Sequence, residues 1–518
     1  MNFLSILFLI FSPAIVALLL LSPIFPNNNI KIRRFSKGFS ITHFIYSLLF
    51  LLYFNPTNLG WSYQKELTFF GSSWINTLGI RANFGLDGIS LVFVILTSFI
   101  TMLAIIAGKR MIRTKTRIYY PLVLILQTAV LGVFSAKDIF LFLFFWLLEL
   151  IPTYLLINQW GEKTSKSAAT KYVICSFLGS MFLILGMLIL YFYSFTISGV
   201  LTADIENLSM SENVFAMWFQ AFIFFCFLIG FAIKLPIVPL HTAQFTAQNN
   251  SIAPVSMLLS GLLMNMGGYG IIRFNLGLFP EVFDKFAPIL MILGGINMLY
   301  CTTLAFIQTD IKKVVSLYGI AQCGLILLGL GAMTEVGFEG SIFHMISRSI
   351  ISAGLFMLVG SIYLRTKTTQ IFTLSGLGEV MPICKNFGII ITLAAMGLPF
   401  LSGFAANFII LNGIILSDIE PQGFIVTIGA ISALGIFLSA ACIFRLFNDT
   451  FLGSVTSKFK KLNNKENNIV ILRKPITKTE IIVLASLALA VMFLGIFPNS
   501  ILDIFKVTTD VIIDFMKV

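Results

Sequence analysis

A lysine, two prolines and a histidine stand close together in one apolar stretch. Residues 231–241 read FAIKLPIVPLH, with Lys234 two residues before the first proline and His241 at the end. A proline inside a helix removes a backbone donor and leaves a carbonyl one turn earlier without its partner. Lysine and histidine side chains can take up and release protons. The pattern therefore predicts a helix that breaks between Leu235 and Leu240, with a protonatable Lys234 beside the break.

The composition predicts a membrane protein. Of 518 residues, 58% are hydrophobic and 11% are charged, and the mean hydropathy is +0.97. A water-soluble fold does not have this balance. The net charge of +12 does not indicate nucleic acid, because the basic residues lie in short loops beside apolar segments. The first 21 residues lack a basic n-region and are long enough to span, so we expect no cleaved signal peptide.

Windows of roughly 20 apolar residues predict an all-α polytopic protein of about fourteen transmembrane helices. They are expected near 3–24, 40–55, 89–107, 118–135, 137–157, 171–195, 214–243, 252–273, 287–306, 313–333, 340–363, 386–413, 422–447 and 477–497. A C-terminal amphipathic segment follows the last of them.

A second interrupted segment suggests internal symmetry. Residues 394–408 read AAMGLPFLSGFAANF, which places two glycines and a proline inside an apolar run five helices after the first break. Corresponding breaks are typical of transporters built from inverted repeats, and an odd number of helices per repeat forces the inversion. The sequence thus predicts two inverted five-helix repeats with breaks in helices 7 and 12. The predicted divisions are 1–117 (helices 1–3), 118–273 (first repeat, helices 4–8), 287–447 (second repeat, helices 9–13) and 448–518 (basic loop, helix 14 and the amphipathic segment).

Loop charges predict the orientation. Loops 1–2, 3–4, 5–6 and 13–14 are basic, whereas loops 6–7, 10–11 and 12–13 carry acidic residues. By the positive-inside rule the basic loops are cytoplasmic and both termini lie on the opposite face.

Nothing in the sequence predicts a metal or redox centre. The six cysteines are scattered in apolar segments without metal-ligand or redox-motif spacing. The three histidines show no haem-ligand arrangement, and no glycine-rich nucleotide loop follows a strand. We therefore expect no cofactor-binding and no metal-binding residues in this chain.

Several motifs resemble the antiporter-like membrane subunits of respiratory complex I and NAD(P)H-quinone oxidoreductase. They include FAIKLPIVPLHT, LLSGLLMNMGGYGIIRFN, AFIQTDIKKVVSLYGIAQCGLILLG and GLPFLSGFAANF. The stretch LGVFSAKDIFLFLFFWLLELIPTYLLINQWG at 131–161 is most similar to the chain 4 type of cyanobacteria and plastids. The resemblance covers about residues 80 to 450.

The resemblance implies a non-redox, proton-translocation-type subunit in the membrane arm of such an oxidoreductase. It implies partners that carry NAD(P)H or ferredoxin oxidation, FMN, iron–sulfur clusters and a quinone such as plastoquinone. The host membrane would be a bacterial inner membrane or a thylakoid membrane. Multisubunit cation/proton antiporters and membrane-bound hydrogenases share this module, so a subunit of either remains an alternative, as does a structural homologue that does not pump.

The resemblance also assigns a proton relay. It implies a helix-5 glutamate paired with the helix-7 lysine, and protonatable groups on helices 8 and 12. The candidate relay residues here are Lys234, Glu149 and His241, with His344 and Arg348 secondary. Neutral residues occupy four of the family's relay positions: Leu147, Asn265, Gln322 and Asn407. We therefore expect the charged line to be interrupted between Lys234 and the helix-12 break, so that pumping is weakened. Two interpretations stay open: a packed polar core without transport, and a rearranged path.

Glu149 poses a geometric problem. It lies two residues after Leu147, which is about 200° around an ideal helix. It can reach Lys234 only if helix 5 is rotated or shifted, and the sequence favours a Glu149 that faces a different helix. Among other charged residues, Asp87 is expected to cap a helix and Arg273 to snorkel or pair. Lys312 and Lys313 are expected to anchor at the interface.

Overall fold

The structure is a computed structural model that describes residues 5–55, 61–67, 75, 78–162, 164–199, 201–209, 216–453 and 476–517. Most of the basic loop 13–14, Lys163 of loop 5–6 and Glu212 of loop 6–7 lie outside the described residues. The described chain is a bundle of α-helices with one small β-hairpin.

The first half contains the helices α1 to α10 and both strands. Their bounds are α1 Ile6–Leu21, α2 Asn29–Leu52, β1 Ser62–Glu66, β2 Asn83–Leu86, α3 Gly88–Met111, α4 Thr116–Ser135, α5 Ile139–Leu148, α6 Leu150–Trp160, α7 Ser165–Ser198, α8 Ile205–Ser209, α9 Met217–Lys234 and α10 Thr242–Asn250.

The second half contains α11 to α21. Their bounds are α11 Ala253–Leu258, α12 Met264–Gly270, α13 Pro280–Phe306, α14 Ile311–Gly331, α15 Glu335–Thr366, α16 Leu377–Val380, α17 Pro382–Met396, α18 Ser402–Ile415, α19 Gln422–Phe451, α20 Lys478–Ile496 and α21 Asn499–Lys517. π-helical turns at Leu259–Leu263 and Ile271–Leu276 flank α12, and a 3₁₀ turn forms at Ile371–Thr373.

The all-α membrane fold is confirmed. Twelve helical segments within the described part of the chain are long and apolar enough to cross a bilayer, with α5–α6 and α11–α12 each counted as one. The shorter apolar helices are α1, α17 and α18. Counting α1 as one span and α17–α18 as one broken span would give fourteen. That count, the inverted repeats and the four-part division of the chain stay predictions.

Both breaks lie where the sequence predicts them. Helix α9 ends at Lys234, and regular helix resumes only at Thr242. Helix α17 ends at Met396 and α18 begins at Ser402, with Gly397 in the left-handed region at φ +79°. A residue with a side chain is strained in that region, which explains the glycine.

The two ends of the bundle differ in their loops. At one end, the basic loops pack together: Arg33 Nη2 donates to Ile112 O at 2.6 Å, and Arg117 Nη2 donates to Ser22 O at 2.7 Å. We call this the basic-loop end. At the other end, β1 pairs antiparallel with β2, and Gly88 N donates to Thr508 Oγ1 of α21 at 3.2 Å. The assignment of the basic-loop end to the cytoplasm stays a prediction.

Three spans form the centre of the bundle. The hydrophobic windows of α11–α12, α14 and α15 are fully buried, whereas those of α2 and α19 are 28% buried. The outer helices therefore present apolar surface to lipid or to neighbouring chains, and polar side chains on the central spans are shut off from both. The candidate site residues lie partly on these central spans and partly on α9, on α18 and at the junction of α5 and α6.

Candidate functional site

Lys234 forms a buried ion pair with Glu149. Its ammonium lies against Glu149 Oε1, and the two side chains are 1% and 0% exposed. Lys234 Nζ also donates to Tyr172 Oη of α7 at 2.9 Å, while Glu149 Oε2 accepts from Thr153 Oγ1 at 2.8 Å. We call this ion pair the Lys234 pair. Two opposite charges that share a dry site hold each other in the charged state.

The expectation that Glu149 faces a different helix was wrong. Helix α5 ends at Leu148 and α6 begins at Leu150, so Glu149 lies at a junction and not inside one regular helix. Pro152 accounts for the junction, because its ring nitrogen cannot donate to the carbonyl of Leu148, one turn earlier. Glu149 itself keeps right-handed helical backbone angles, with φ −65° and ψ −23°, so the interruption is confined to the hydrogen-bonding pattern of the helix. Leu147, at the family's usual position, is half-buried and packs against the apolar core.

Aromatic rings enclose the Lys234 pair. Lys234 Nζ lies 4.9 Å from the centre of the Tyr172 ring and 5.6 Å from that of the Trp146 ring. Trp146 Nε1 in turn donates to Ser180 Oγ at 3.1 Å. Ring faces attract a cation without accepting its proton. Among the described residues, the hydrogen-bond partners of the Lys234 ammonium are therefore the Glu149 carboxylate and the Tyr172 phenol oxygen, and of the two the carboxylate can hold a proton.

The broken segment after Lys234 is held by hydrogen bonds. Ile237 N donates to Ala232 O at 3.0 Å, and Val238 N donates to Asn297 Oδ1 at 3.0 Å. His241 is buried at the end of the segment, with its ring edge-on to Tyr300 at 5.7 Å between centres. The structure does not bring His241 into hydrogen-bonding contact with the Lys234 pair.

A second polar cluster contains Arg348, which is 2% exposed. Its Nη2 donates to Asn265 Oδ1 at 2.8 Å, and its Nη1 lies 2.9 Å from Met264 Sδ. Asn265 Nδ2 donates to Ser349 Oγ at 2.8 Å. We call these four residues the Arg348 cluster. None of the ion pairs among the described residues includes Arg348, so its charge is met by an amide and a thioether and not by a carboxylate.

The contact between Arg348 and Asn265 has no signal in the sequence around either residue. Asn265 and Arg348 each replace a family residue, on α12 and α15, and the structure shows that they touch. The π-helical turn Leu259–Leu263 ends one residue before α12 and changes which face Asn265 presents. The structure shows that Arg348 places its positive charge against Asn265. Asn265 stands where the family has a lysine.

The remaining predicted positions make no hydrogen bond to either group among the described residues, although His344 lies one turn from Arg348 on α15. His344 Nε2 is 3.2 Å from Gln322 O, and Gln322 Nε2 donates to Ser439 Oγ at 3.3 Å. Asn407 is half-buried on α18, and its Oδ1 has no partner in the described chain. Neutral side chains thus occupy positions 265, 322 and 407, as the sequence predicts, and Arg348 is the charged group in contact with one of them.

Other buried ion pairs link distant helices. Arg273 pairs with Asp87, whose other oxygen caps α3 by accepting from Ser90 N at 2.8 Å. Arg365 makes two 2.9 Å hydrogen bonds to Glu480, which joins α15 to α20. No local sequence signal identified the second of these pairs, because its members are 115 residues apart and each lies near a helix end. In the part of the chain that the structure describes, no group of three or more His, Cys, Asp or Glu side chains could hold a metal ion.

Comparison with known families and proteins shows what the chain is similar to. The family model described as "NADH:quinone oxidoreductase/Mrp antiporter, TM" matches residues 136–435. The chloroplastic NAD(P)H-quinone oxidoreductase chain 4 of Physcomitrium patens is 33% identical over 486 residues, covering 93% of each chain. Chain 4 of Prochlorococcus marinus (strain MIT 9515) is 33% identical over 442 residues, covering 85% of this chain and 78% of the relative.

Solved structures share the fold at lower identity. A chain of respiratory complex I from Thermus thermophilus with bound NADH superposes with a TM-score of 0.83 at 24% identity, covering 99% of both chains. A chain of the Mrp complex from Dietzia sp. DQ12-45-1b gives 0.83 at 18% identity, covering 99% of this chain and 98% of that one. These two likenesses establish the architecture. The family match and the chain 4 relatives show that the chain belongs to the NADH:quinone oxidoreductase/Mrp antiporter family of membrane subunits.

Proposed function

We propose that this chain is a proton-translocating membrane-arm subunit, of the chain 4 type, in an NAD(P)H- or ferredoxin-driven quinone oxidoreductase. The observation that carries the proposal is the Lys234 pair: a fully buried lysine and glutamate at the break of a membrane-spanning helix. Buried ionisable groups are costly in a membrane, and they mark ion or proton pathways there. A broken helix beside them is the arrangement that transporters use for a site within the membrane.

The chemistry follows from the electrostatics of a dry site. While Glu149 is ionised beside it, the Lys234 ammonium is stabilised and holds its proton. If the carboxylate is protonated or moves away, the ammonium loses its counter-ion and the neutral amine becomes favoured. A proton then leaves Lys234, and Tyr172 Oη, 2.9 Å away, can relay it by giving its own hydroxyl proton to a further acceptor as it takes the one from Lys234. Movement of charge in a neighbouring subunit could thereby become movement of a proton here.

The redox reaction belongs to partners. The proposal places NAD(P)H or ferredoxin oxidation, FMN, iron–sulfur clusters and quinone reduction in other subunits, since this chain's sequence offers no residues for them. The host membrane follows from the relatives: a thylakoid membrane or a bacterial inner membrane. The chain would contact other membrane-arm subunits through the apolar faces of its outer helices.

The antiporter alternative has weaker support. The Mrp likeness is as good in shape as that to complex I but rests on 18% identity, whereas the relatives at 33% identity are quinone oxidoreductase chains. Purification of the chain from its own membrane separates the two: quinone-reductase subunits should co-purify, and a set of antiporter or hydrogenase subunits would overturn the assignment.

Proton yield per electron pair in sealed vesicles tests the translocation step. Lys234→Met should lower the yield, while Lys313→Met, which removes an exposed lysine, should leave it unchanged. Assembly of the complex and quinone reduction serve as controls for folding. An unchanged yield in an assembled Lys234→Met complex would contradict the proposal.

A further inference from the structure

One backbone amide of the segment between α9 and α10 is bonded to a different helix. The two N–H groups that precede it, those of Leu235 and Ile237, donate to carbonyls in the last turn of α9. Val238 N instead donates to the side-chain oxygen of Asn297 on α13 at 3.0 Å. Among the N–H groups of residues 235–238, which the structure describes in full, this is the one whose hydrogen bond joins the segment to another helix.

Asn297 uses both ends of its side-chain amide. It is fully buried on α13, and while its Oδ1 accepts from Val238 N, its Nδ2 donates to Ile320 O of α14 at 2.9 Å. A buried polar group that is bonded at both ends is held in one orientation. Asn297 therefore joins the end of a first-half span to α14 of the second half. The connection continues to α15, because Gln322 O of α14 lies 3.2 Å from His344 Nε2.

A contact between two glycines fixes α13 to α14 close to Asn297. A Cβ atom on Gly294 would lie 2.6 Å from Gly324 O, and one on Gly324 would clash with Gly294 O. The two backbones therefore touch, which small residues allow between membrane helices. Gly294 lies one turn before Asn297 on α13. Asn297 is thus carried by a helix pair in direct backbone contact, and its oxygen is a fixed acceptor for Val238 N.

Helix α12 also touches the break. A Cβ atom on Gly267 of α12 would clash with Leu235 N, so the start of the segment cannot shift toward α12. The hydrogen bond from Val238 N to Asn297 holds the same segment to α13. The backbone next to Lys234 is therefore held by α12 and α13, whereas the hydrogen-bond partners of its ammonium lie on α7 and at the α5–α6 junction.

We propose that Asn297 is a positioning residue for proton transfer: its amide holds the broken segment to α14 and so keeps the Lys234 ammonium against Glu149. The proposal rests on the proposed function of proton translocation and adds to it a residue that takes no proton itself. Because asparagine does not titrate, its contribution is geometric. An ion pair in a dry site is favourable only while its geometry is kept, and loss of the Asn297 bond frees the backbone that aims Lys234.

Proton yield per electron pair in the complete complex tests the role of Asn297. Asn297→Leu removes both hydrogen bonds and keeps a branched side chain, so we expect the yield to fall toward that of Lys234→Met while quinone reduction continues. Asn297→Asp keeps an oxygen for Val238 N and should retain most of the yield. Thr302→Val is the matched control and should have no effect, because Thr302 is buried on the same helix and its Oγ1 has no partner in the described chain.

A second variant covers a failure of Asn297→Leu to assemble. Asn297→Thr is close to asparagine in size and carries one polar atom where asparagine has two, so it cannot serve Val238 N and Ile320 O as two separate atoms do. We expect the same direction of change in the yield. An assembled Asn297→Thr complex and an assembled Asn297→Leu complex that both pump normally would overturn the proposal.

Hydrogen exchange tests the position of the segment without relying on pumping. Val238 is half-buried, so its amide should exchange slowly while it is bonded to Asn297 and faster once the bond is lost. In the purified complex, peptides that cover residues 235–241 should exchange faster in Asn297→Leu than in the native chain. They should stay slow in Asn297→Asp and Thr302→Val. A fall in the proton yield without faster exchange would contradict the proposal, since Asn297 would then act by another route.

The two measurements separate this proposal from the proposed function. If Lys234→Met lowers the proton yield and Asn297→Leu does not, Asn297 is not a positioning residue while the proposed function stands. If Lys234→Met leaves the yield unchanged, the proposed function fails whichever way the hydrogen exchange falls.

Discussion

The Lys234 pair and the Arg348 cluster both hold a buried cation, but they stabilise it by different means. Lys234 faces a carboxylate that can itself take a proton. Arg348 faces the Asn265 amide and the Met264 thioether, which cannot. A lysine can release its proton when its surroundings change, whereas a guanidinium remains charged in proteins. The comparison indicates that the first region can switch its charge and that the second provides a constant one.

The comparison also revises the meaning of the neutral substitutions. Considered alone, Asn265 replaces the titratable lysine of the family with a side chain that does not titrate. In the structure, Arg348 donates to Asn265 Oδ1 at 2.8 Å, so a positive charge is still present at that place. Position 265 therefore lacks a titratable side chain but not a neighbouring positive charge. Under the proposed function, such a fixed positive charge would repel an approaching proton.

The largest expected effect comes from removing the carboxylate of the Lys234 pair. Glu149→Gln leaves a buried ammonium without its counter-ion, which typically destabilises a fold by about 3–5 kcal/mol. We expect reduced assembly and loss of the proton yield. The double variant Glu149→Gln with Lys234→Met removes both charges and should recover thermal stability without recovering the yield. If Glu149→Gln alone is as stable as the native chain and pumps normally, the pair is not the switching region.

A smaller effect should follow from adding a second cation to the Arg348 cluster. Asn265→Lys restores the family's residue but places an ammonium against the Arg348 guanidinium, so like charges meet in a dry site. We expect less assembled chain in the membrane. Adding Arg348→His, which can be neutral, should relieve the loss. Immunoblotting of the assembled complex measures both, and a harmless Asn265→Lys single variant would contradict the fixed-charge account.

The smallest expected effect concerns the helix that leads to the Lys234 pair. Asp138 caps α5, the helix that ends before Glu149, by accepting from Phe140 N at 2.8 Å. Burial raises the pKa of Asp138 from 3.8 to about 7, an effect to which Asp204 adds. The folded chain therefore holds a proton that the unfolded chain has released. Stability should fall as pH rises from about 4 through about 7.

Asp138→Asn tests this dependence, because asparagine keeps the cap and does not titrate. The thermal midpoint of the solubilised chain should vary less with pH in the variant than in the native chain across that range. If the thermal midpoints of the native chain and the variant depend on pH in the same way, a group other than Asp138 is responsible for that dependence.

The sequence predicted the features that depend on local chemistry. The break after Lys234 could be predicted because two prolines follow it within five residues, and the break at Gly397 because a glycine and a proline interrupt an apolar run. The Glu149–Lys234 contact could not, since it depends on how α5 packs against α9, through Trp146 and Phe231 among others, and not on a local pattern. The Arg348–Asn265 contact depends on a π-helical turn and on the packing of α12 against α15, and neither has a local signal.

The chain 4 resemblance was confirmed by the relatives and the family match. The buried Lys312 was misjudged as an anchor, because its position at the start of an apolar segment beside Asp310 is also typical of lysines at the membrane surface. Its contact with Glu162 joins residues 150 positions apart, which no local pattern reveals. Sequence thus located the groups next to backbone breaks and failed for pairs that form only when distant helices pack.

The central claim is that Lys234 works by releasing its proton, whereas Arg348 works by keeping its charge. Lys234→Arg tests it most directly, because arginine preserves the positive charge beside Glu149 but does not deprotonate. The measurement is the proton yield per electron pair of the complete complex in sealed vesicles, with quinone reduction followed in parallel. The account predicts that Lys234→Arg falls to the yield of Lys234→Met while quinone reduction continues. A Lys234→Arg complex that pumps as well as the native one would show that Lys234 is also a fixed charge and would contradict the account.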